Sequence, residues 1–141
     1  MKKSLLGFFV MFVSVLFFVS CGASKQSVSS LISGRWNIVE VNGEKVTSDK
    51  NPFIEFDTTE GRLHGNAGCN NFNAAYKLDP AKASSLQLLP AASTMMACPN
   101  METEGKVLKA LENVASAKKA GSALQLLDKN GAVVFLLNKA L

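Results

Sequence analysis

The chain has 141 residues, 48% of them apolar, and a formal net charge of +4. Residues 1–20 distort both figures, since they hold Phe8, Phe9, Phe12, Phe17, Phe18, Lys2 and Lys3; without them the apolar content is about 44%, an ordinary globular value. The near-neutral remainder excludes a nucleic-acid binder driven by bulk charge, a polytopic membrane protein, a disordered tail and a multidomain enzyme, and leaves one domain with one core.

Lys2 and Lys3 precede an apolar run from Leu5 to Val19. Fifteen helical residues rise only about 22 Å, short of the hydrocarbon core, so a cleaved signal peptide is expected rather than a membrane span. The run ends in Phe18-Val19-Ser20-Cys21-Gly22, which resembles the bacterial lipobox, with Phe18 where Leu is usual. The resemblance implies that Cys21 is lipidated and begins the mature protein; the alternative is an ordinary secretory signal with an incidental cysteine. Acyl chains contribute about 0.8 kcal/mol per buried CH₂, so two or three anchor a protein stably. The expected division is a signal peptide over 1–20, lipidated Cys21 with a flexible polar tether over 21–30, and a folded domain over 31–141. Gly22 after the cysteine resembles an outer-membrane sorting signal, so the expected location is the outer membrane, facing the periplasm.

Arg35 to Val41 alternates, which predicts a strand with Trp36 and Ile38 on one face and Val39 and Val41 on the other. Asn42-Gly43 then supplies a turn. Further strands are predicted over Phe53 to Phe56, Arg62 to Asn66, Phe72 to Leu78 and Ser85 to Leu89. Asn100 is the expected N-cap of a helix whose apolar positions are Val107, Leu108, Leu111, Val114 and Ala115. Glu102 and Glu104 suit the N-terminal pole of its dipole, Lys118 and Lys119 the opposite one, and Gly121 the stop. A hairpin follows, with strands over Ala123 to Leu127 and Ala132 to Leu137 around Asn130-Gly131. The apolar run in its last strand predicts a central position covered on both faces. About seven strands and one helix make an antiparallel α+β fold.

The landmarks in order are Leu31 to Trp36, Pro52 to Asp57, Gly61 to Tyr76 with its Gly-Cys-Asn, Ser93 to Pro99 (STMMACP), Glu104 with Leu108 and Leu111, and Leu124 to Phe135. Their order resembles the META/HslJ domain, a small module of bacterial lipoproteins. Ala74 departs from the pattern, which usually has Gly two residues before the tyrosine. The resemblance implies a strongly bent, open-barrel-like antiparallel sheet with a helix packed across it, similar to some secretin-pilot lipoproteins. It implies no known catalytic activity.

Cys69 and Cys98 are the two cysteines left in a domain expected in an oxidising compartment, and their simplest state is a disulfide. Two free buried thiols, or a metal or redox site, are the alternatives. His64 is the one histidine, read as a solvent-facing strand residue rather than a ligand. Met95, Met96 and Met101 near Cys98 raise Cu(I) binding, against the preferred reading that they fill core space beneath the helix. Asn66, Asn70 and Asn71 cluster around Cys69. They are either a loop presenting amides to a ligand or the residues of a tight turn beside the disulfide, and the turn is preferred. No catalytic residue, metal site or cofactor is assigned.

The expected function is therefore a non-catalytic, lipid-anchored envelope protein, a monomeric binding or assembly-support module linked by its family label to envelope stress. Its expected partners are the membrane, through the anchor, and an envelope protein or lipid; nucleic acid is not among them. Two other readings stand beside it. One is a pilot-like lipoprotein holding a lipid chain or an outer-membrane protein segment. The other is a small copper binder or enzyme using the Cys69, Cys98 and Met region.

Overall fold

The computed structural model describes residues 27–141. The expected signal peptide, Cys21 and most of the expected tether lie outside the described residues. The tether was expected to run to Ser30, but Ser27 caps a short helix, α1 (Val28–Ile32), by accepting a hydrogen bond from the Ser30 N–H. Val28 and Ile32 are buried, and the Trp36 indole donates to the Ile32 carbonyl at 2.7 Å. This helix escapes a periodicity search because it offers little more than one turn.

β1 (Gly34–Val41) is the spine of the sheet. On one side it pairs with β3 (Phe53–Asp57), then β4 (Arg62–Asn66), β5 (Asn71–Lys77) and β6 (Gln87–Leu88). On its other side lie β10 (Val133–Lys139), β9 (Ala123–Leu127) and β8 (Ser116–Ala120), while β2 (Glu44–Lys45) pairs with β1 and β7 (Ala92–Ser93) with β5. Every pairing is antiparallel. The two outer strands come round to meet. Ser85 bridges Ser116, Leu86 N–H donates to Ala115 C=O at 3.1 Å, and Ala117 N–H donates to Ser84 C=O at 2.9 Å. The result is a nearly closed barrel filled by Phe72, Phe135, Ile54, Leu63, Leu124, Leu126 and Leu137, the bent antiparallel α+β sheet expected.

Two bulges change which residues face inward. The β1–β10 register skips Val39, so Val41 is buried with Trp36 and Ile38 instead of facing away from them. A bulge adds one residue and so breaks the two-residue alternation on which the facing assignment rested. The β9–β10 register likewise skips Val134, which turns both Val134 and Phe135 inward. β10 is central, as expected. Its apolar run, however, reflects this bulge rather than two fully covered faces, since Val133 is exposed and Leu136 half-buried.

The long helix is shorter than predicted. α2 (Glu102–Leu111) ends with Glu112 as its C-cap, and Lys118 and Lys119 lie on β8. Val114 keeps the helical spacing, but Ala115 N–H donates to Leu127 C=O and Ser116 to Ala120 pair with β9. Cross-strand hydrogen bonding overrides the good helix propensity of the alanines and lysines in this segment. Asn100 sits one residue ahead of the formal N-cap, Met101, and its side chain accepts from the Glu102 N–H at 3.1 Å.

α1 stands at the Gly34 end of β1 and α2 at the Val41 end. There Thr103 Oγ1 donates to Thr47 C=O, and Lys106 pairs with Glu44. The two helices therefore mark opposite ends of the barrel. Ile32, fully buried, anchors the α1 end, so Ile32→Ala should destabilise the domain by about 2–5 kcal/mol. Equilibrium urea denaturation checks this, and a change under about 1 kcal/mol would mean that α1 is a loosely docked appendage.

Candidate functional site

The Gly-Cys-Asn segment forms the loop between β4 and β5, where Ala67 N–H donates to Asn70 C=O at 2.9 Å. Asn66 Oδ1 accepts from Gly68 N–H at 2.8 Å, and Asn66 Nδ2 donates to Asn71 Oδ1 at 2.9 Å. These amides close the turn. Cys69 is buried and bonded to Cys98, with Cα atoms 6.1 Å apart, so the pairing expected from cysteine counting is present. The loop is thereby stitched to the segment that leads into α2.

At its centre lies Asn70, 1% exposed. Its Oδ1 accepts from Thr94 Oγ1 and from Met96 N–H, both at 2.7 Å, and its Nδ2 donates to Met96 C=O at 3.0 Å. Its backbone N–H donates to Glu104 Oε2 at 2.7 Å, and Nδ2 lies 2.9 Å from Glu104 Oε1. Glu104 is itself buried in the first turn of α2. No cation pairs with it among the described residues; its carboxylate is met by the N–H groups of Asn70 and by the N-terminal pole of the helix dipole. The loop, the 94–96 segment and α2 thus meet on one amide and one carboxylate.

Sequence reasoning treated Glu102 and Glu104 alike, and the structure separates them. Glu102 is exposed and pairs with Lys106 at 2.9 Å. The hydrogen bond from Lys106 lowers the Glu102 pKa, while hydrogen bonds to Glu44 and Glu102 raise that of Lys106. Glu104 shares the spacing of Val107, Leu108 and Leu111, the face of α2 turned to the core. That spacing was the signal available: a carboxylate in register with the apolar stripe must have a buried partner.

Asn70, then, is a structural joint rather than a ligand-presenting amide. Asn71 lines a shallow outer depression of about 530 Å³ with Phe53, His64, Gly65, Asn73 and Ser93. Gly65 floors it because a Cβ there would lie 2.1 Å from Phe53 C=O and 2.6 Å from the Phe72 ring. The Arg35 guanidinium stacks 3.4 Å above the Phe53 ring centroid. His64 is exposed, with Nε2 3.5 Å from Glu55 Oε2. It faces solvent, as expected, and the buried, disulfide-bonded Cys69 offers it no thiol.

The methionines correct the reading that placed them in the core. Met95 is 97% exposed, Met96 52% and Met101 41%. α2 covers the core with Val107, Ala110 and Leu111. The loop instead carries its methionines outward on a backbone clamped by Asn70 and the disulfide.

The META domain family model matches residues 29–140. None of the curated proteins matches this chain. Among solved structures, an NMR structure of a protein from Burkholderia xenovorans superposes with a TM-score of 0.59 at 19% identity, covering 80% of this chain and 86% of that one. A second NMR structure gives a TM-score of 0.57 at 24% identity, covering 76% and 89%. A crystal structure of a DUF4847 family protein from Bacteroides vulgatus gives 0.54 at 16% identity, covering 76% and 92%. At these identities the likeness is one of fold.

Asn70→Ala keeps the backbone N–H on Glu104 Oε2 but removes the side-chain amide shared by Glu104, Thr94 and Met96, and should cost on the order of 3 kcal/mol, whereas Thr94→Ala removes one hydroxyl hydrogen bond and should cost about 1 kcal/mol. Urea denaturation of the two variants measures the difference, and equal costs would remove Asn70 from its central place. Reduction of the disulfide should cost about 3–4 kcal/mol on the chain-entropy account. Alkylation of Cys69 and Cys98 should occur only after reductant is added, as read by mass.

Proposed function

The chain belongs to the META domain family, and from that membership and its exposed methionine segment we propose a non-catalytic binding or assembly-support module, lipid-anchored in the cell envelope. The observation that carries the reading is Met95, 97% exposed beside half-exposed Met96. Thioether side chains adapt to many apolar surfaces. Here they stand on a backbone fixed by the Asn70 contacts to Met96 and by Cys98. An adaptable apolar surface on a rigid frame suits docking of a protein partner, because little backbone entropy is lost on binding.

The Lys2-Lys3 start, the apolar run and Cys21 support a lipid anchor on the outer membrane, with the domain in the periplasm. The pilot-like reading, in which an interior cavity holds a lipid chain, is less well supported, since the barrel interior is filled by Phe72, Phe135 and their neighbours. Copper binding is also weakened. Cys69 and Cys98 bind each other, which leaves thioethers without a thiolate at the site.

A photocrosslinking residue at position 95, used in intact envelopes, should capture a defined protein. Met96→Ser with Met101→Ser should lower that yield about tenfold, as hot-spot loss does. Capture unaffected by these substitutions, or none above background, would remove the docking role of the segment. The anchor is tested separately by a diacylglycerol mass on Cys21 and by globomycin sensitivity.

A further inference from the structure

The two ends of the barrel carry different charge. At the α2 end the exposed acidic side chains Glu44, Asp49, Glu102 and Glu112, with half-buried Glu40 and Asp128, roughly balance Lys45, Lys50, Lys106, Lys109 and Lys129. Lys106 there is already held by Glu44 at 2.6 Å and Glu102 at 2.9 Å. At the α1 end basic side chains prevail. Arg62, Lys77, Lys82, Lys118, Lys119 and Lys139 stand against Asp57, Glu60 and Asp79. Arg35 and Glu55, opposite each other in the β1–β3 register, add one charge of each sign. Lys82, Lys118 and Lys119 are exposed and form no ion pair among the described residues. The barrel closure draws them together, because Ser84 bonds to Ala117 between them. Beside them opens a cleft of about 370 Å³ lined by Ser27, Val28, Leu78, Asp79, Pro80 and Lys82 among others, so that it carries one charge of each sign.

The same end receives the chain from Cys21. Ser27 lies on the cleft, six residues after Cys21. Six extended residues reach at most about 20 Å. An orientation with the α2 end on the membrane would hold Ser27 above the surface by the length of β1, about 25 Å, and by the thickness of α2 as well. The tether cannot span that distance. The basic end therefore stays near the bilayer, and the α2 end does not rest on it.

We propose that the α1 end is a membrane-docking surface, with Lys82, Lys118 and Lys119 engaging anionic phospholipid headgroups and the Val28–Leu78–Pro80 cleft resting at the interface. Clustered lysines near a surface attract anionic lipid within about a Debye length. This proposal rests on the anchor reading above. It gives that reading an orientation, in which Met95, Met96 and Met101 face away from the bilayer toward a partner.

The test uses the full mature chain, lipidated at Cys21, in phosphatidylglycerol vesicles and in neutral phosphatidylcholine vesicles. After flotation, an amine-acetylating reagent is added and each lysine is quantified by mass spectrometry. Lys82, Lys118 and Lys119 should acetylate about threefold less than Lys45, Lys50 and Lys109 in phosphatidylglycerol, with the contrast lost in neutral vesicles and in 1 M salt. In the variant K82E/K118E/K119E, whose substitutions are all at exposed positions, Lys77 serves as the reporter and its protection should disappear. Equal acetylation of the two sets on a floating protein overturns the docking surface and leaves the anchor standing. A chain that neither floats nor carries a diacylglycerol mass overturns the anchor, and the proposal with it.

Discussion

The carboxylate of Glu104 is the constraint on which the arrangement of this domain turns. A buried carboxylate with no cation beside it among the described residues is tolerated only where donors converge on its oxygens, and a helix N-terminus adds to them. The donors come from Asn70, which reaches Glu104 with both its backbone N–H and its side-chain amide. Asn70 can do so only because the β4–β5 loop is folded tightly and stitched by Cys69 to Cys98. The same amide fixes Thr94 and Met96. α2, the turn and the methionine segment are thus positioned by one local network, and none of the three has a reason to sit where it does without the other two.

How much of this was legible in the sequence follows from what each signal encodes. β3, β4 and β9 were legible because short runs bounded by turn formers admit few other readings. The cysteine pair was legible from counting and compartment alone. β8 was not, because Ala115 to Ala120 has no apolar alternation and its strand character comes wholly from β9 beside it. β2 and β7 are two residues each and exist only as pairings. The bulges at Val39 and Val134 leave no local mark, since they are properties of two strands in register rather than of one.

The site was half legible for a related reason. The Gly-Cys-Asn turn could be read from residue type, but Asn66, Asn70 and Asn71 look interchangeable in sequence. Their fates diverge: Asn70 is buried at the joint, Asn71 is exposed, and Asn66 ties itself to Asn71. The methionines mislead in the opposite sense, because apolar character suggests burial. Clamping their backbone from beneath turns Met95 outward, and an exposed thioether on a fixed loop is a different physical object from one that fills a cavity.

The polarity of the barrel follows from the same division of labour. The α2 end carries the disulfide, the buried carboxylate and a surface where acidic residues roughly balance lysines. The α1 end is closed by Ile32 and Trp36 and crowned with lysines. Lys118 and Lys119 have an independent reason to be charged, since they sit on β8 where its outer side is unpaired, and charge on an edge strand discourages association with other chains. That reason does not extend to Lys77, which is on paired β5, or to Lys82, which is in a loop. Edge protection would also be served by glutamate as well as by lysine. What it leaves unexplained is the common sign, and a common positive sign on the end where the chain emerges is what an anionic surface, reached through a tether of six residues, would select.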